Sequence, residues 1–285
     1  MGDVGYIGVD GGGTGCRLAL VRDDDHWATE GGPCNVSTDL AGALRELSAG
    51  LDRLAAQAGL DRGSLRGLPT CLGLAGVLAG HPRPDISDAL RLTHATIVDD
   101  RAIALRGALG SRDGVLIGLG TGSFFAIQAY GQIRLAGGWG LTLGDEGSGA
   151  WLGREMLRFT LAAQDGLERP SDFTDALDTK FAGPPGIVAF AQKAKPKDYA
   201  ALAPEIVAAS EGGDQGAQEV MRRGRAHIVE ALENLGWVPP MPICLTGGLA
   251  DVYAGLLPKR FSDHIVSAEA SALQGALAMA RKTAV

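Results

Sequence analysis

Glycine clusters constrain the fold of this chain more than any other feature of its sequence. Glycine occupies 43 of the 285 positions. It stabilises neither helices nor strands, so dense clusters are expected where the backbone turns sharply or approaches a ligand. Two clusters, at residues 11–15 and 120–122, each stand between two short apolar runs. This pattern predicts two hairpins in which a glycine-rich turn joins a pair of strands.

The two predicted hairpins resemble each other and suggest two similarly built halves. Ile7-Gly8-Val9 corresponds to Ile117-Gly118-Leu119, 110 residues later, and a Gly-Thr-Gly follows in both. Self-similarity of this kind indicates a structural repeat. The halves differ in one respect, because the first turn begins with Asp10 and the second has no carboxylate at that place.

Strand and helix signals alternate along the rest of the chain. Leucines at three- and four-residue steps predict an amphipathic helix over residues 40–58. Further strands are predicted at 16–21, 26–30, 68–75, 95–98 and 243–245, and further helices at 85–92, 101–109, 148–163, 214–235 and 267–281. Residues 165–212 are predicted to be mostly helical and interrupted by prolines. The alternation predicts an α/β protein.

The composition excludes several classes of protein. A hydrophobic content of 46% is typical of a folded globular chain, and a net charge of −7 makes general nucleic-acid binding a poor fit. No apolar run approaches the ~18 residues that cross a bilayer, and the first residues do not resemble a secretory signal. We therefore expect no membrane association and a cytoplasmic location. The cysteines form no CxxC pair, which predicts buried, reduced thiols at Cys16, Cys34, Cys71 and Cys244.

The glycine turns are candidates for phosphate binding. The two common motifs, GxxxxGK[ST] and GxGxxG, do not occur in the sequence. Glycine turns nevertheless allow backbone N–H groups to converge on phosphate oxygens, and a neighbouring carboxylate suits Mg²⁺. Taken singly, each turn is better explained as an ordinary hairpin turn. Three in series, with Gly247-Gly248 as the third and Asp10 at the first, favour nucleotide binding.

The three turns resemble the motifs of a known superfamily. The order DGGGTGCR, GTGS and LTGG resembles the phosphate-1, phosphate-2 and adenosine motifs of the sugar kinase/Hsp70/actin ATPase fold. Within that superfamily, GGWGLTLGDEGSGAWLG at 137–153 is similar to the signature of N-acetylglucosamine kinases and of the BadF/BadG/BcrA/BcrD group. The later stretches AQDG and KPKDYAALAPEI resemble bacterial glucosamine kinases. The resemblance covers nearly the whole chain.

The resemblance implies a domain organisation as well as a fold. It implies two actin-like (ribonuclease H-like) α/β domains with a nucleotide cleft between them. The N-terminal domain would span residues 1–108, and a closing helix at 268–282 would pack back onto it. The C-terminal domain would span residues 109–267 and carry a helical insertion.

The resemblance also implies ATP and Mg²⁺ as cofactors and assigns residues to them. Asp10 would hold Mg²⁺, partly through water, although it could instead cap the turn. Arg17 would either approach phosphate or be an ordinary surface residue of its strand. The nucleotide would contact the three motifs at Gly11, Gly12, Gly13, Thr14, Gly120, Thr121, Gly122, Ser123, Gly247 and Gly248.

A catalytic base and a sugar-binding set complete the implied site. The base of the resembling kinases corresponds to Asp100, which also contacts the sugar. Asp99 leaves the assignment open because either aspartate could cap the following helix, although alignment through the preceding strand favours Asp100. The other implied sugar contacts are Asn35, Trp139, Gly140 and Asp145. Asn35 is also a good turn residue, Trp139 could equally be a core residue, and the adjacent Glu146 could be a cap.

The implied function is an ATP-dependent kinase acting on the 6-hydroxyl of an amino sugar, N-acetylglucosamine or glucosamine. Segment 137–153 favours the acetylated sugar and the C-terminal half favours the free amine, with a slight preference for the former. One alternative is an ATPase activator of a 2-hydroxyacyl-CoA dehydratase, but no cysteine is placed for an iron–sulfur cluster at a dimer axis. The other is a non-catalytic sugar-sensing protein, which would need an added helix-turn-helix. The expected partners are a small sugar and a nucleotide, with a homodimer left open.

Overall fold

The chain forms two compact units in a computed structural model that describes residues 5–77 and 84–283. Unit 1 comprises Met1–Asp113, Gln128–Ile133 and Ser267–Val285, and unit 2 comprises Gly114–Ile127 and Arg134–Val266. The described residues form two five-stranded sheets. Within those same ranges, no helix is both long and apolar enough to traverse a bilayer.

Strands and helices alternate as expected for an α/β chain. The strands are β1 (Tyr6–Gly11), β2 (Cys16–Arg22), β3 (Asp25–Gly31), β4 (Thr70–Leu74), β5 (Ala95–Asp99), β6 (Gly114–Leu119), β7 (Ser123–Ala129), β8 (Gln132–Gly137), β9 (Ile243–Thr246) and β10 (Ile265–Val266). The helices are α1 (Leu40–Gln57), α2 (Pro84–Leu90), α3 (Asp100–Leu109), α4 (Gly149–Gln164), α5 (Asp172–Phe181), α6 (Gly183–Ala191), α7 (Pro196–Ala200), α8 (Ala203–Glu211), α9 (Gln215–Asn234), α10 (Ala250–Leu256), α11 (Lys259–Ser262) and α12 (Ala272–Lys282).

The sheet of unit 1 has the order β3-β2-β1-β4-β5. The first three strands are antiparallel neighbours, whereas β1, β4 and β5 run parallel. Asp10 therefore lies opposite Gly73 of β4, and Asp99 lies opposite Leu74 of the same strand. Because the carboxyl ends of parallel strands meet at one edge of a sheet, both aspartates are brought to that edge.

The second sheet has the order β10-β9-β6-β7-β8. Strand β6 is parallel to β9, with Gly118 opposite Thr246, and β9 is parallel to β10. The turn at 120–122 and the pair Gly247-Gly248 therefore follow neighbouring parallel strands and emerge at one edge. The central strand of each sheet thus leads into a glycine turn, as the internal repeat predicts.

Helices pack their apolar side chains against the sheet of their own unit. The leucine stripe of α1 is fully buried at Leu47, Leu51 and Leu54, and the carboxylate of Asp39 caps this helix by accepting the Gly42 N–H at 2.8 Å. Unit 2 has its own buried cluster, built from β6, β7, β9 and the helices α4 to α11.

Most predicted elements are confirmed to within two residues, and the closing helix is the exception. It was expected from residue 267, but α12 begins at Ala272 with Ser271 as its N-cap. The residues before it stay outside the helix: Glu269 and Ala270 form a bend and donate their N–H groups to the carbonyls of Ala108 and Gly107 at the end of α3. These bonds tie the segment to a neighbouring element.

Candidate functional site

The first glycine turn is a tight connection between β1 and β2. The Gly12 N–H donates to the Gly15 carbonyl at 2.9 Å, and the Gly12 carbonyl accepts from the Cys34 N–H at 2.9 Å. Between these bonds, Gly13 and Thr14 are exposed. The turn is therefore anchored at its base, while its tip presents backbone groups to solvent, as a phosphate-binding turn requires.

Asp10 lies at the end of β1, directly before this turn. Arg17 is its partner across the hairpin, with Arg17 Nη1 3.5 Å from Asp10 Oδ2 and Arg17 Nε 3.6 Å from Glu30 Oε1. Burial raises the pKa of Asp10, and the Arg17 guanidinium partly offsets that rise. The arrangement gives the turn one largely buried carboxylate and one exposed cation.

Asp99 and Asp100 have different surroundings at the end of β5. Asp99 is the N-cap of α3 and accepts the Arg101 N–H at 2.9 Å, so the structure decides which aspartate caps the helix. Asp100 is the first residue of α3 and is half-buried. Burial raises the pKa of Asp100 to about 7, with a further contribution from the carboxylate of Asp99. A carboxyl group that titrates near neutrality can accept a proton under physiological conditions.

Asn35 organises the loop between β3 and α1. Its Oδ1 accepts from the Ser37 N–H at 3.0 Å, the Ser37 hydroxyl at 2.8 Å and the Thr38 N–H at 3.2 Å. Gly76 follows β4 with φ of +84°, and a Cβ there would lie 2.6 Å from Asn35 Oδ1, so only glycine fits. Because the backbone donors fix the oxygen, Asn35 presents its NH₂ group as the end that can bind a ligand.

The second glycine turn, at 120–122, is tied to the first turn of α4. The carbonyls of Gly120 and Thr121 accept the Gly149 and Ala150 N–H groups at 2.9 and 3.1 Å. The side chain of Ser123 is buried, and its hydroxyl donates to the Glu146 carbonyl at 2.9 Å. Thr121 remains exposed. The turn therefore offers backbone groups and the Thr121 hydroxyl, whereas the Ser123 hydroxyl stabilises the loop.

Asp145 joins this turn to the segment that carries Trp139. It has φ of +62° and is 7% exposed. Burial raises the pKa of Asp145, and hydrogen bonds from the Ser123 and Gly140 N–H groups partly offset the rise. Trp139 is 60% exposed, so the alternative that it is only a core residue is wrong. Asp145 thus fixes two loops while an indole ring on one of them stays available.

Glu146 belongs to the same loop but does not cap α4. Ser148 is the N-cap of that helix and accepts the Trp151 N–H at 3.1 Å. The Glu146 carboxylate lies 3.5 Å from Nε2 of His227 on α9. Glu146 therefore connects the loop to α9.

The third glycine motif, Gly247-Gly248, borders a cavity that lies within unit 2. Gly247 has φ of +98°, and a Cβ there would collide with the Leu119 carbonyl, so β9 ends in a turn that only glycine allows. The cavity has a volume of ≈ 590 Å³, within the range of roughly 300–1,000 Å³ for small-molecule sites. Its walls include Gly120, Thr121 and Gly248 on one side and Ala203, Pro204, Val207, Ala208 and Glu211 of α8 on the other.

The sequence did not assign the α8 wall to any site. Its residues are small and apolar apart from Glu211, and such residues also pack ordinary protein interiors. The only signal was the resemblance of KPKDYAALAPEI to a kinase segment, which attached no role to these positions.

The predicted site residues are divided between the units: Asp10, Asn35 and Asp100 belong to unit 1, and Gly120, Asp145 and Gly248 belong to unit 2.

Asp10 is suited to a cation that is also held by a nucleotide. Among residues 5–77 and 84–283, no group of three or more His, Cys, Asp or Glu side chains could hold a metal ion. Mg²⁺ usually takes one or two carboxylates and completes its shell with phosphate oxygens and water. The single carboxylate of Asp10 beside an exposed glycine turn fits that mode of binding.

Known proteins that are similar to this chain include two named kinases and one protein of solved structure. Glucosamine kinase GspK of Vibrio cholerae is 29% identical over 281 residues, covering 97% of this chain and 96% of that protein. N-acetylmuramic acid/N-acetylglucosamine kinase of Clostridium acetobutylicum is 30% identical over 171 residues, covering 56% of this chain and 54% of that protein. A solved structure from Chromobacterium violaceum, provisionally described as an N-acetylglucosamine kinase, has a TM-score of 0.79 and 30% identity and covers 98% of this chain and 99% of its own.

These similarities confirm the α/β class with two actin-like units. The family model that matches residues 7–280 carries the same family description that segment 137–153 indicated. The chain belongs to the BadF/BadG/BcrA/BcrD ATPase family.

Proposed function

We propose that this chain is an ATP-dependent kinase that phosphorylates the 6-hydroxyl of an amino sugar, N-acetylglucosamine or glucosamine. The observation that carries the proposal is Asp100, a half-buried carboxyl group with a pKa raised to about 7 at the end of a parallel strand. A base of this kind suits a hydroxyl acceptor. The similarity to named amino-sugar kinases across nearly the whole chain supports the choice of substrate class.

The proposed reaction transfers one phosphoryl group. Asp100 would accept the proton of the sugar hydroxyl as that oxygen forms a bond to the γ-phosphorus. The bond between the γ-phosphorus and the β–γ bridging oxygen would break, leaving ADP and a sugar 6-phosphate. Such transfers depend mainly on positioning and charge neutralisation, which the glycine turns would provide through their backbone N–H groups.

Each unit has candidate nucleotide contacts of its own. In unit 2, the 590 Å³ cavity would take the adenosine, with Gly248 beside it and Thr121 at the phosphates. In unit 1, Gly11–Gly15 would contact phosphate and Asp10 would hold Mg²⁺, whose charge offsets that of the phosphates. Arg17 is an exposed cation next to Asp10 and so could also approach phosphate.

The sugar would be held by polar groups on ordered loops. The Asn35 NH₂ group would donate to a hydroxyl, because its oxygen is occupied by Ser37 and Thr38. The exposed indole of Trp139 would provide an apolar face for the ring, with the Gly140 backbone beside it. Asp145 would accept from a sugar hydroxyl through a lone pair that its two backbone bonds leave open.

The cysteines do not support the electron-transfer alternative. All four are free and buried, so none offers a thiolate at the surface of its unit. A cluster that bridges two subunits needs accessible thiolates from each of them.

Steady-state ADP release tests the proposal directly. We would measure it with glucosamine, N-acetylglucosamine, glucose, N-acetylmannosamine and N-acetylmuramic acid, using Asp100→Asn as the matched inactive variant. We expect ADP release that depends on glucosamine or N-acetylglucosamine and is lost in the variant. If no sugar raises ADP release above background, the proposed function is wrong.

A further inference from the structure

Asp99 and Arg101 form a buried ion pair next to Asp100. Asp99 Oδ1 accepts from Arg101 Nε at 2.7 Å, and Asp99 Oδ2 accepts from Arg101 Nη2 at 2.6 Å. The two side chains are only 9% and 14% exposed. Two parallel bonds between a guanidinium and a carboxylate fix both groups in one orientation.

This pair exceeds what capping α3 requires. A capping aspartate needs to accept only a backbone N–H, as Asp39 does at the start of α1 and as Asp99 does from Arg101. The guanidinium adds a second interaction, and removing two charges from water carries a desolvation penalty that the pairing must offset. The bonds from the Arg101 side chain to Asp99 are therefore additional to the cap, and they hold a buried pair of charges on either side of Asp100 in the sequence.

Within residues 5–77 and 84–283, charged groups on three elements act on Asp100. They are Asp99 at the end of β5, Arg101 on α3 and Asp10 at the end of β1. Asp99 and Asp10 raise the pKa of Asp100, and Arg101 lowers it. The charges of the ion pair therefore act on Asp100 in opposite directions.

We propose that Asp99 and Arg101 are positioning residues that hold Asp100 at the start of α3 and set the pH range in which it can accept a proton. This inference rests on the proposed role of Asp100 as the base of a kinase. It requires that loss of either charge moves the acid limb of the pH–rate profile, and that the two losses move it in opposite directions. If the ion pair had only a structural role, both variants would lose activity, but the acid limb of the pH–rate profile would not move in opposite directions.

The first test is the pH dependence of kcat for three variants of the ion pair and one control variant. Asp99→Asn keeps a capping oxygen but removes a negative charge, so the acid limb should move down by about one pH unit. Arg101→Gln removes a positive charge, so the limb should move up by about the same amount, and Arg101→Lys should return it towards the wild-type position. Asp39→Asn, a change in another cap of unit 1, should leave the limb in place. Limbs that stay within about 0.3 units of the wild type (roughly a third of the expected shift of about one unit) in both charge variants would overturn the inference.

The second test does not depend on turnover. The carboxyl carbon of Asp100 can be titrated by NMR in ¹³C-aspartate-labelled full-length protein, with Asp100→Asn used to assign its signal. The midpoint should fall in Asp99→Asn and rise in Arg101→Gln. Shifted midpoints in a protein without sugar-dependent ADP release would support the electrostatic role and reject the kinase. Normal turnover with unshifted midpoints would reject the role of Asp99 and Arg101 but leave the proposed kinase function standing.

Discussion

A tryptophan at Ala208 should block the nucleoside cavity of unit 2. Ala208 lies on α8, lines the cavity and is exposed, so a larger side chain can extend into the cavity without disturbing the buried core. Its neighbours in the wall are Val207 and Glu211. Ala208→Trp would therefore place an indole ring where the adenine is proposed to bind.

The expected effect follows from the contacts that adenine would lose. The base has about ten non-hydrogen atoms, and each contributes about 0.3 kcal/mol in ligands of this size. Losing these contacts costs about 3 kcal/mol, which weakens binding about 150-fold. The KM for the sugar should change little, because the proposed sugar contacts lie on other loops.

The dissociation constant of ATP, measured by isothermal titration calorimetry, tests this estimate. Ala201→Trp is the matched control, because Ala201 is also an exposed alanine, lies seven residues earlier and does not line the cavity. The control should bind ATP as the wild type does, and both variants should melt at similar temperatures. If Ala208→Trp binds ATP within threefold of the control (about 0.7 kcal/mol), the nucleoside does not occupy this cavity.

Three further predictions concern charge and burial. Asp100→Asn should lower kcat by about 10²–10⁴-fold while ATP still binds, and near wild-type turnover in this variant would show that Asp100 is not the base. In the wild type, kcat should fall as the pH drops through about 7, because the base becomes protonated. Asp145→Ala should lower the free energy of unfolding by about 1–3 kcal/mol in urea titrations, because the N–H group of the buried Ser123 loses its acceptor. Asp145→Asn should cost less, and equal losses would contradict this reasoning. Burial raises the pKa of Cys71 to about 12, so this thiol should react with a disulfide reagent at pH 8 only after denaturation, and rapid reaction in the native protein would refute its burial.

The spacing of apolar residues and the positions of the glycine clusters predicted most of the fold. The leucine spacing of α1 and the strand–turn–strand pattern at Asp10 are local signals, so they survive in the sequence without knowledge of tertiary contacts. The start of α12 was predicted too early because the residues before it bond to the end of α3. That competition depends on contacts between residues some 160 positions apart, and no local pattern reports it.

The candidate site was predictable only in part. Motifs located both glycine turns, because a tight turn requires particular residue types, and they named Asp100 as the candidate base, which stays a prediction. They could not decide which of Asp99 and Asp100 caps α3, since either suits the position; in the structure it is Asp99 that accepts the Arg101 N–H. The α8 wall of the cavity was missed for a different reason: small apolar residues such as Ala203 and Val207 have the same sequence pattern in a ligand site as in a core.

The return of α12 to unit 1 has a consequence for synthesis of the chain. Ala276 and Ala280 on this helix are fully buried, and they pack with Cys71 of β4 and Ile103 of α3. A ribosome makes all of unit 2 before it makes these residues, so the sheet face that α12 covers stays open to water until translation is nearly complete. Release of a shortened product that stops before Ala272 would leave this face uncovered, making such a product a substrate for chaperones and proteases.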